Sequence, residues 1–353
     1  MTSTASRTTG RRALRRFSLV CVGSVIVVVA LELVLVFLSR GVDHVPGFFA
    51  PSDDGSFILA AKSQSEYWHS GRVVTVTIGA DGTRLVPSAP PSAPTTLHIV
   101  GDSQVFGWGL SDDETLPEHL QRMLGPDLRV VNHGKPGIGP MGYLQKLADI
   151  PLSDPVIVVL TEMNDFQDSY SAMPTVTHHC GSIVLPNGIG RRLPCFVLRS
   201  QIFNLLMDLR NLATVERTPL PLGFNPYAVI SARVLCKRVE NNLAGFLQRR
   251  AGASTLLTIP WEAEFVPSRL SAYAPFLDKA EAHTRLPGGT RLHAAFADAP
   301  DPDALFQPND HHISAVGVQW IARALVNLRD WHHAAQEPEN QQLADCSFSA
   351  TLP

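Results

Sequence analysis

The chain carries no excess of basic charge: 29 Lys and Arg stand against 32 Asp and Glu, for a net charge of −3. That balance gives nucleic acid no electrostatic footprint and argues against it as a partner. No paired-glycine dinucleotide fingerprint and no P-loop occur, and the run Gly107-Trp108-Gly109 is too short and wrongly placed to cradle a phosphate. Internal repeats are missing as well. A metal centre has little support: the pairs His178-His179 and His311-His312 are each adjacent residues, whose side chains point in different directions. Cysteines number only 5.

One long apolar run is present. Phe17 to Leu38 reads FSLVCVGSVIVVVALELVLVFL, about the 20 residues that a helix needs to cross the hydrocarbon core. Its single charge, Glu32, lies toward the far end, where it can reach the interface or a partner helix. Arg7, Arg11, Arg12, Arg15 and Arg16 precede the run, while Arg40 alone follows closely. That asymmetry predicts a cytoplasmic N-terminus and an external body. A cleaved signal would need a shorter apolar core and a small-x-small site near Ser39–Gly41, and a twin-arginine signal different spacing after Arg15-Arg16. An uncleaved single-pass anchor over 1–40 is therefore the expectation.

An external body permits disulfides. Cys21 falls inside the anchor, leaving Cys180, Cys195, Cys236 and Cys346. Cys180 and Cys195 bracket a segment whose Asn187-Gly188 signals a hairpin turn that would bring them together. Cys236 would then pair with Cys346. Four buried free thiols are the competing reading.

Residues 41–94 read as a stalk. The alternation Val73 to Ile78 followed by the turn Gly79-Ala80-Asp81-Gly82 suggests a small hairpin packed on the main domain, and 86–94 is a proline-rich extended linker. From Thr95 strands alternate with helices. Leu97–Val100, Leu128–Val131, Val156–Leu160 and Ser254–Ile259 are apolar strand candidates. Between them, a helix after Ser111-Asp112-Asp113-Glu114 has Pro117 early and an apolar face of Leu116, Leu120, Met123 and Leu124. A second helix contains Tyr143, Leu144 and Leu147, and Gly317–Leu328 forms the last. This pattern predicts a mostly parallel sheet covered on both faces, with function at the carboxyl ends of its strands. Residues 166–250 form an insertion, with helices near 199–213 and 228–249, that could overhang those strand ends. The main domain runs over 95–335 and a tail over 336–353.

Four polar segments fall at strand ends. Gly101-Asp102-Ser103 follows the first strand, where a serine hydroxyl would be exposed at a helical turn. Alone, Gly, Asp and Ser are ordinary turn formers. Asn132-His133-Gly134-Lys135-Pro136-Gly137 follows the second strand, and Gly137 can present a bare N–H. Thr161-Glu162-Met163-Asn164-Asp165 follows the third, offering the Asn164 amide. Asp310-His311-His312 precedes the last helix, and a carboxylate two residues before an imidazole can hold it in the tautomer that accepts a proton from serine.

In order and context these segments resemble the SGNH (GDSL-like) hydrolase superfamily, in the version seen in bacterial membrane-associated members. Gly101-Asp102-Ser103-Gln104-Val105-Phe106-Gly107-Trp108-Gly109 looks like its nucleophile segment, and Asn132-x-Gly134-x-x-Gly137 is similar to the second segment. Asn164-Asp165 resembles the third, and Asp310-x-His312-x-Ser314-x-x-Gly317 the last. The resemblance spans roughly 95–330, without the insertion. It implies a three-layer αβα sandwich with a flavodoxin-like five-stranded parallel sheet. It also implies a serine esterase, acyl hydrolase or O-acyltransferase that needs no cofactor and no metal. Ser103 would be the nucleophile, His312 the base and Asp310 its acid. The Ser103 and Gly137 N–H groups and the Asn164 amide would form the oxyanion hole. Substrates would be acylated glycans or lipids of the envelope, met on the extracytoplasmic (periplasmic) side of the bacterial cell membrane. Two departures stand out: Met163 occupies a site where the family usually has glycine, and His311 fills a position that is often small. A register shift of one would make His311 the base. A catalytically inactive module that binds glycan or protein on the same fold is the alternative.

Overall fold

The computed structural model describes residues 5–39, 42–53, 56–161, 165, 177–184, 188–215, 254–259, 289–291, 299–301, 303–307, 310 and 312–327. Five parallel strands form its central sheet: β5 (Thr95–Gly101), β6 (Leu128–Gly134), β7 (Val156–Thr161), β10 (Ser254–Ile259) and β11 (Gly289–Arg291). In space they run β11-β10-β7-β5-β6. Numbered along the chain within this sheet, that is the order 2-1-3-4-5 of the flavodoxin-like doubly wound fold, whose topological switch lies between its first and third strands. Here the switch falls between β5 and β7.

Alternation along β5 explains why both faces are covered. Leu97 and Ile99 point into a core shared with Leu116 and Leu120 of helix α3 (Leu116–Leu124) and with Val318, Ile321 and Leu325 of the last helix, α7 (Ala315–Asn327). Val100 points the other way, toward Tyr143 and Leu147 of α4 (Pro140–Ala148). Helix α3 starts where Thr115 accepts the Glu118 N–H and Pro117 occupies the first turn. Met123, expected on its apolar face, is exposed. The buried face instead turns toward Gln121, whose amide satisfies the backbone of Leu128 and Val130 at the start of β6.

The segment 41–94 is more than a stalk with an attached hairpin. Strands β1 (Phe49–Pro51) and β2 (Phe57–Leu59) pair antiparallel, as do β3 (Ser63–His69) and β4 (Arg72–Ile78). The residues Val73 to Ile78 are thus the second arm of a hairpin that turns at Ser70-Gly71, and Gly79–Gly82 is the exit turn. Ser70 and Gly71 both have positive φ, the backbone of a tight two-residue hairpin turn. Phe48, Phe49, Phe57, Tyr67, Val74, Val76 and Ile78 form a separate buried cluster. Phe106, which follows the Ser103 turn, is the core-domain residue that completes it. The proline-rich linker is also tied down, with Ser88 bonded through N and Oγ to the Glu118 carboxylate.

Arg84 is fully buried just after this hairpin. Its guanidinium pairs with Asp112 at 3.1 Å and donates to the carbonyls of Phe106 (2.7 Å), Gly107 (2.7 Å) and Leu110 (2.6 Å). Asp112 in turn accepts the Thr77 N–H.

Helix α1 (Ala5–Leu38) contains a 23-residue stretch, Arg16–Leu38, long and apolar enough to cross a membrane. Glu32 has a partner helix. Its carboxylate accepts the N–H groups of Gln201 (2.7 Å) and Ile202 (3.0 Å) and the Ser200 hydroxyl (3.0 Å). These groups open α6 (Gln201–Val215), which follows the single turn α5 (Cys195–Leu198). A carboxylate at a helix N-terminus satisfies orphan donors and meets the positive end of the dipole. The expected helix at 228–249 and the pair Cys236–Cys346 lie outside the described residues.

Cys180 and Cys195 form a disulfide. The hairpin beside it differs from the expected one. Strands β8 (Thr177–His179) and β9 (Ser182–Val184) turn at Cys180-Gly181, not at Asn187-Gly188. Both turn residues have positive φ, so this two-residue connection takes the geometry that the longer bracket was expected to supply. Of the latter pair only Gly188 is described, and it precedes a short 3₁₀ turn, Ile189–Arg192.

A polar chain crosses the β5–β6 pair. Asp154 accepts from His98 Nε2 at 3.2 Å, leaving His98 Nδ1 to accept from His133 Nε2 at 2.8 Å. Burial, and secondarily the neighbouring His98, pull His133 down to about 3.

Two outcomes follow from these buried charges. Arg84→Leu should destabilise the fold by about 3–5 kcal/mol, because Asp112 is left as a buried unpaired carboxylate; denaturant unfolding followed by tryptophan fluorescence measures it. Adding Asp112→Leu should recover only part, since three carbonyls still lack their donor. Stability should also fall as pH drops from about 6.5, the ordinary imidazole value, toward 3, because the unfolded chain binds a proton that folded His133 refuses. His133→Gln should flatten that part of the stability–pH curve.

Candidate active site

The site forms at the carboxyl end of β5, beside the switch point. Gly101 closes the strand where a Cβ would collide with Val105 and crowd the Val159 carbonyl. Asp102 then caps the one-turn helix α2 (Ser103–Phe106), its Oδ1 accepting the Gln104 N–H at 2.8 Å. Gly107 ends the turn in left-handed conformation, φ 83°, and donates its N–H to the Ser103 carbonyl at 2.9 Å. Ser103 is therefore the first residue of a turn fixed at both ends, and Arg84 holds the loop that follows.

Gly134 lets β6 pass against this turn, since a Cβ there would strike the Phe106 backbone. Asn132 is fully buried: its Oδ1 accepts the Gly134 N–H at 2.9 Å. Gly137, three residues on, has φ 72°. After β7, Asp165 is buried and accepts from Tyr143 Oη (2.5 Å) and Thr161 N (2.7 Å). It thus bonds back to the end of β7, while Met163 and Asn164 lie outside the described residues.

The last loop is folded on itself. Phe306 and Ile313 bridge antiparallel, Gln307 N donates to the His312 carbonyl at 2.8 Å, and Ser314 N donates to Leu305 O at 2.9 Å. Ser314 Oγ caps α7 through the Gly317 N–H, and Gly317 is bare because a Cβ would meet the Leu305 carbonyl. Two amides lock this loop to the Ser103 turn. Gln104 Oε1 accepts the Ile313 N–H at 2.9 Å, and Gln307 Nε2 donates to Trp108 O (2.6 Å) and Ile313 O (3.1 Å).

Three sequence-predicted residues meet here. His312 Nε2 lies 2.8 Å from Ser103 Oγ, and His312 Nδ1 lies 2.6 Å from Asp310 Oδ1. An ionised carboxylate only accepts, so Nδ1 carries the proton and Nε2 keeps a lone pair aimed at the serine hydroxyl. It is His312 that faces Ser103; His311 lies outside the described residues. The His312 and Asp310 side chains are 12% and 15% exposed, shielded enough to strengthen their pairing.

Sequence reasoning missed His69, the last residue of β3. Its Nε2 lies 3.0 Å from Asp310 Oδ2, across 241 residues of chain. It also missed the roles of Arg84, Gln104 and Gln307, and the aromatic wall of Tyr67 and Trp108. The Trp108 ring stands 5.9 Å from His69 and 6.3 Å from His312. Tyr67 accepts the Gly109 N–H at 3.3 Å, and burial pushes its phenol up to about 12. Of these, Gln104 and Trp108 lie in a quoted motif but carry no chemical signal by type. Among the described residues one His/Cys group is spaced for a metal, His179 with Cys180 and Cys195, and the disulfide consumes both thiols.

Gln104→Leu should cost about 1–3 kcal/mol of stability, the penalty for leaving the buried Ile313 N–H without its acceptor. Thermal unfolding of the variant measures it; an unchanged midpoint would show that the amide link does not hold the two loops together.

No protein-family model and no curated protein matches this chain. Solved structures do. A member of the lipolytic protein G-D-S-L family from Veillonella parvula is 11% identical, with 66% of this chain and 97% of that one covered, at a TM-score of 0.33. A lipase/acylhydrolase from Enterococcus faecalis is 14% identical over 67% and 95% of the two chains, at 0.34. A carbohydrate acetylesterase family member from Sinorhizobium meliloti is 12% identical over 67% and 98%, also at 0.34. The solved structures to which the chain is similar thus include a G-D-S-L-family protein, a lipase/acylhydrolase and a carbohydrate acetylesterase family member.

Proposed function

We propose that this protein is a serine esterase or acyltransferase working through Ser103, His312 and Asp310. The observation that carries the reading is the continuous pair of contacts, Ser103 Oγ to His312 Nε2 at 2.8 Å and His312 Nδ1 to Asp310 Oδ1 at 2.6 Å. Ser103 Oγ attacks the ester carbonyl as His312 Nε2 takes its proton, and Asp310 stabilises the imidazolium. The tetrahedral oxyanion is received by the Ser103 and Gly137 N–H groups with the Asn164 amide. Collapse expels the alcohol, which leaves with the proton held by His312, and an acyl-serine remains. Water then completes hydrolysis, or a sugar hydroxyl accepts the acyl group. The same intermediate serves both. No step requires a cofactor.

In this reading α1 is a single-pass anchor in a bacterial cell membrane, with its N-terminus cytoplasmic and the body extracytoplasmic. The arginines before the apolar run support that orientation, and so does the Cys180–Cys195 disulfide, which suits an oxidising compartment. Ester-linked acyl groups of envelope glycans or lipids are the substrates such a location brings within reach.

The full chain, solubilised in detergent, should hydrolyse a short-chain p-nitrophenyl ester. Ser103→Ala should lower the rate by about 10³-fold or more and abolish labelling by a fluorophosphonate. A wild-type protein that neither turns over the ester nor takes the label would overturn the catalytic reading in favour of a binding module.

A further inference from the structure

We propose that His69 is a positioning residue for the Asp310 carboxylate, so that the β3–β4 hairpin belongs to the catalytic unit. This rests on the Ser103–His312–Asp310 reading above. Asp310 is held at both oxygens. Oδ1 accepts from His312 Nδ1 at 2.6 Å and from His312 N at 3.2 Å, while Oδ2 accepts from His69 Nε2 at 3.0 Å. Since the carboxylate only accepts, His69 is the Nε2–H tautomer.

The contact is built into its surroundings. Gly109, with φ 73°, has no Cβ at the place where the His69 ring and Gln307 Oε1 converge, so any larger residue would displace the imidazole. Trp108 meets the ring edge-on, at 5.9 Å and 84°, and Tyr67 flanks it at 6.2 Å. Asp310 and, behind it, His312 face His69 from the last loop. Tyr67 faces it from its own strand, with a buried phenol that stays neutral up to about 12. Opposite it in the hairpin is Arg72, whose charge is taken by Glu114 at 2.5 Å.

Two consequences follow. A carboxylate gripped at one oxygen can swing about its Cβ–Cγ bond; gripped at both, it keeps the plane that aims the His312 ring at Ser103. The second donor also draws charge from Asp310, which weakens its pull on the proton of the His312 imidazolium. Without His69, His312 would hold a proton to higher pH and be lost as a base there.

His69→Phe fills the space without a donor, and His69→Gln places an amide N–H close to the lost Nε2–H. In the full chain, His69→Phe should lower kcat for the p-nitrophenyl ester about 10-fold, the loss of one hydrogen bond to a charged group. KM should stay within about twofold, and the acid limb of the pH–rate profile should move up by about half a unit or more. His69→Gln should restore most of both. His69→Met replaces the Phe variant should that one fail to fold. The titration of the His312 ring C–H, followed by NMR on protein with labelled histidine, should move up in parallel and needs no turnover. An acid limb and a His312 titration that stay put in the donor-free variants, or a Gln variant displaced as far as Phe, would overturn the proposal. Wild-type protein that neither turns over the ester nor takes the fluorophosphonate label would instead overturn the proposed function, and the NMR shift would still decide the role of His69.

Discussion

The fully buried guanidinium of Arg84 is the interaction on which the rest of this structure depends. It satisfies three carbonyls of the loop that leaves the Ser103 turn, and it neutralises Asp112, which in turn holds Thr77. A charge taken out of water costs several kcal/mol unless every donor is used. Here four of the five guanidinium N–H donors are used, three of them on backbone that would otherwise be an unsupported loop. One side chain from the N-terminal segment therefore sets the shape of the loop behind Ser103. The stacked contact of the guanidinium on Phe106 joins the same point to the aromatic cluster of the hairpins.

The site itself is a meeting of two loops that the sheet brings together and side-chain amides lock. Ser103 owes its position to the end of β5 and to Asp102; His312 and Asp310 owe theirs to a loop closed by the Phe306–Ile313 bridge. Gln104 and Gln307 cross between the two. Such links are neutral hydrogen bonds of modest net worth each. Buried together, they restrict the serine–imidazole distance more tightly than either loop would alone.

The N-terminal part of the chain adds a second layer to this arrangement. It contributes His69 and Tyr67 from a hairpin and Arg84 from the segment that follows to the surroundings of the site, and α1 meets α6 through Glu32. The one charge in an otherwise apolar helix thus has a defined recipient, the open N-terminus of a helix in the insertion. The apolar helix is joined by hydrogen bonds to the same body that carries the serine.

Much was legible in the sequence because it depends on local chemistry. Apolar runs of strand length marked β5, β6, β7 and β10, and a 22-residue apolar stretch behind arginines marked α1. Ser103, His312 and Asp310 stood out in the sequence only as part of four polar segments in order at strand ends, since each alone reads as an ordinary turn or cap. Tertiary structure alone decided the rest. Periodicity identified Val73–Ile78 as a strand without saying which neighbour it pairs with, and two adjacent positive-φ residues moved the disulfide hairpin to Cys180-Gly181. Nothing in the types of Arg84 or His69 distinguishes them from surface residues. Their meaning comes from burial and from partners up to 241 residues away, which only the packing of the hairpins against the sheet supplies.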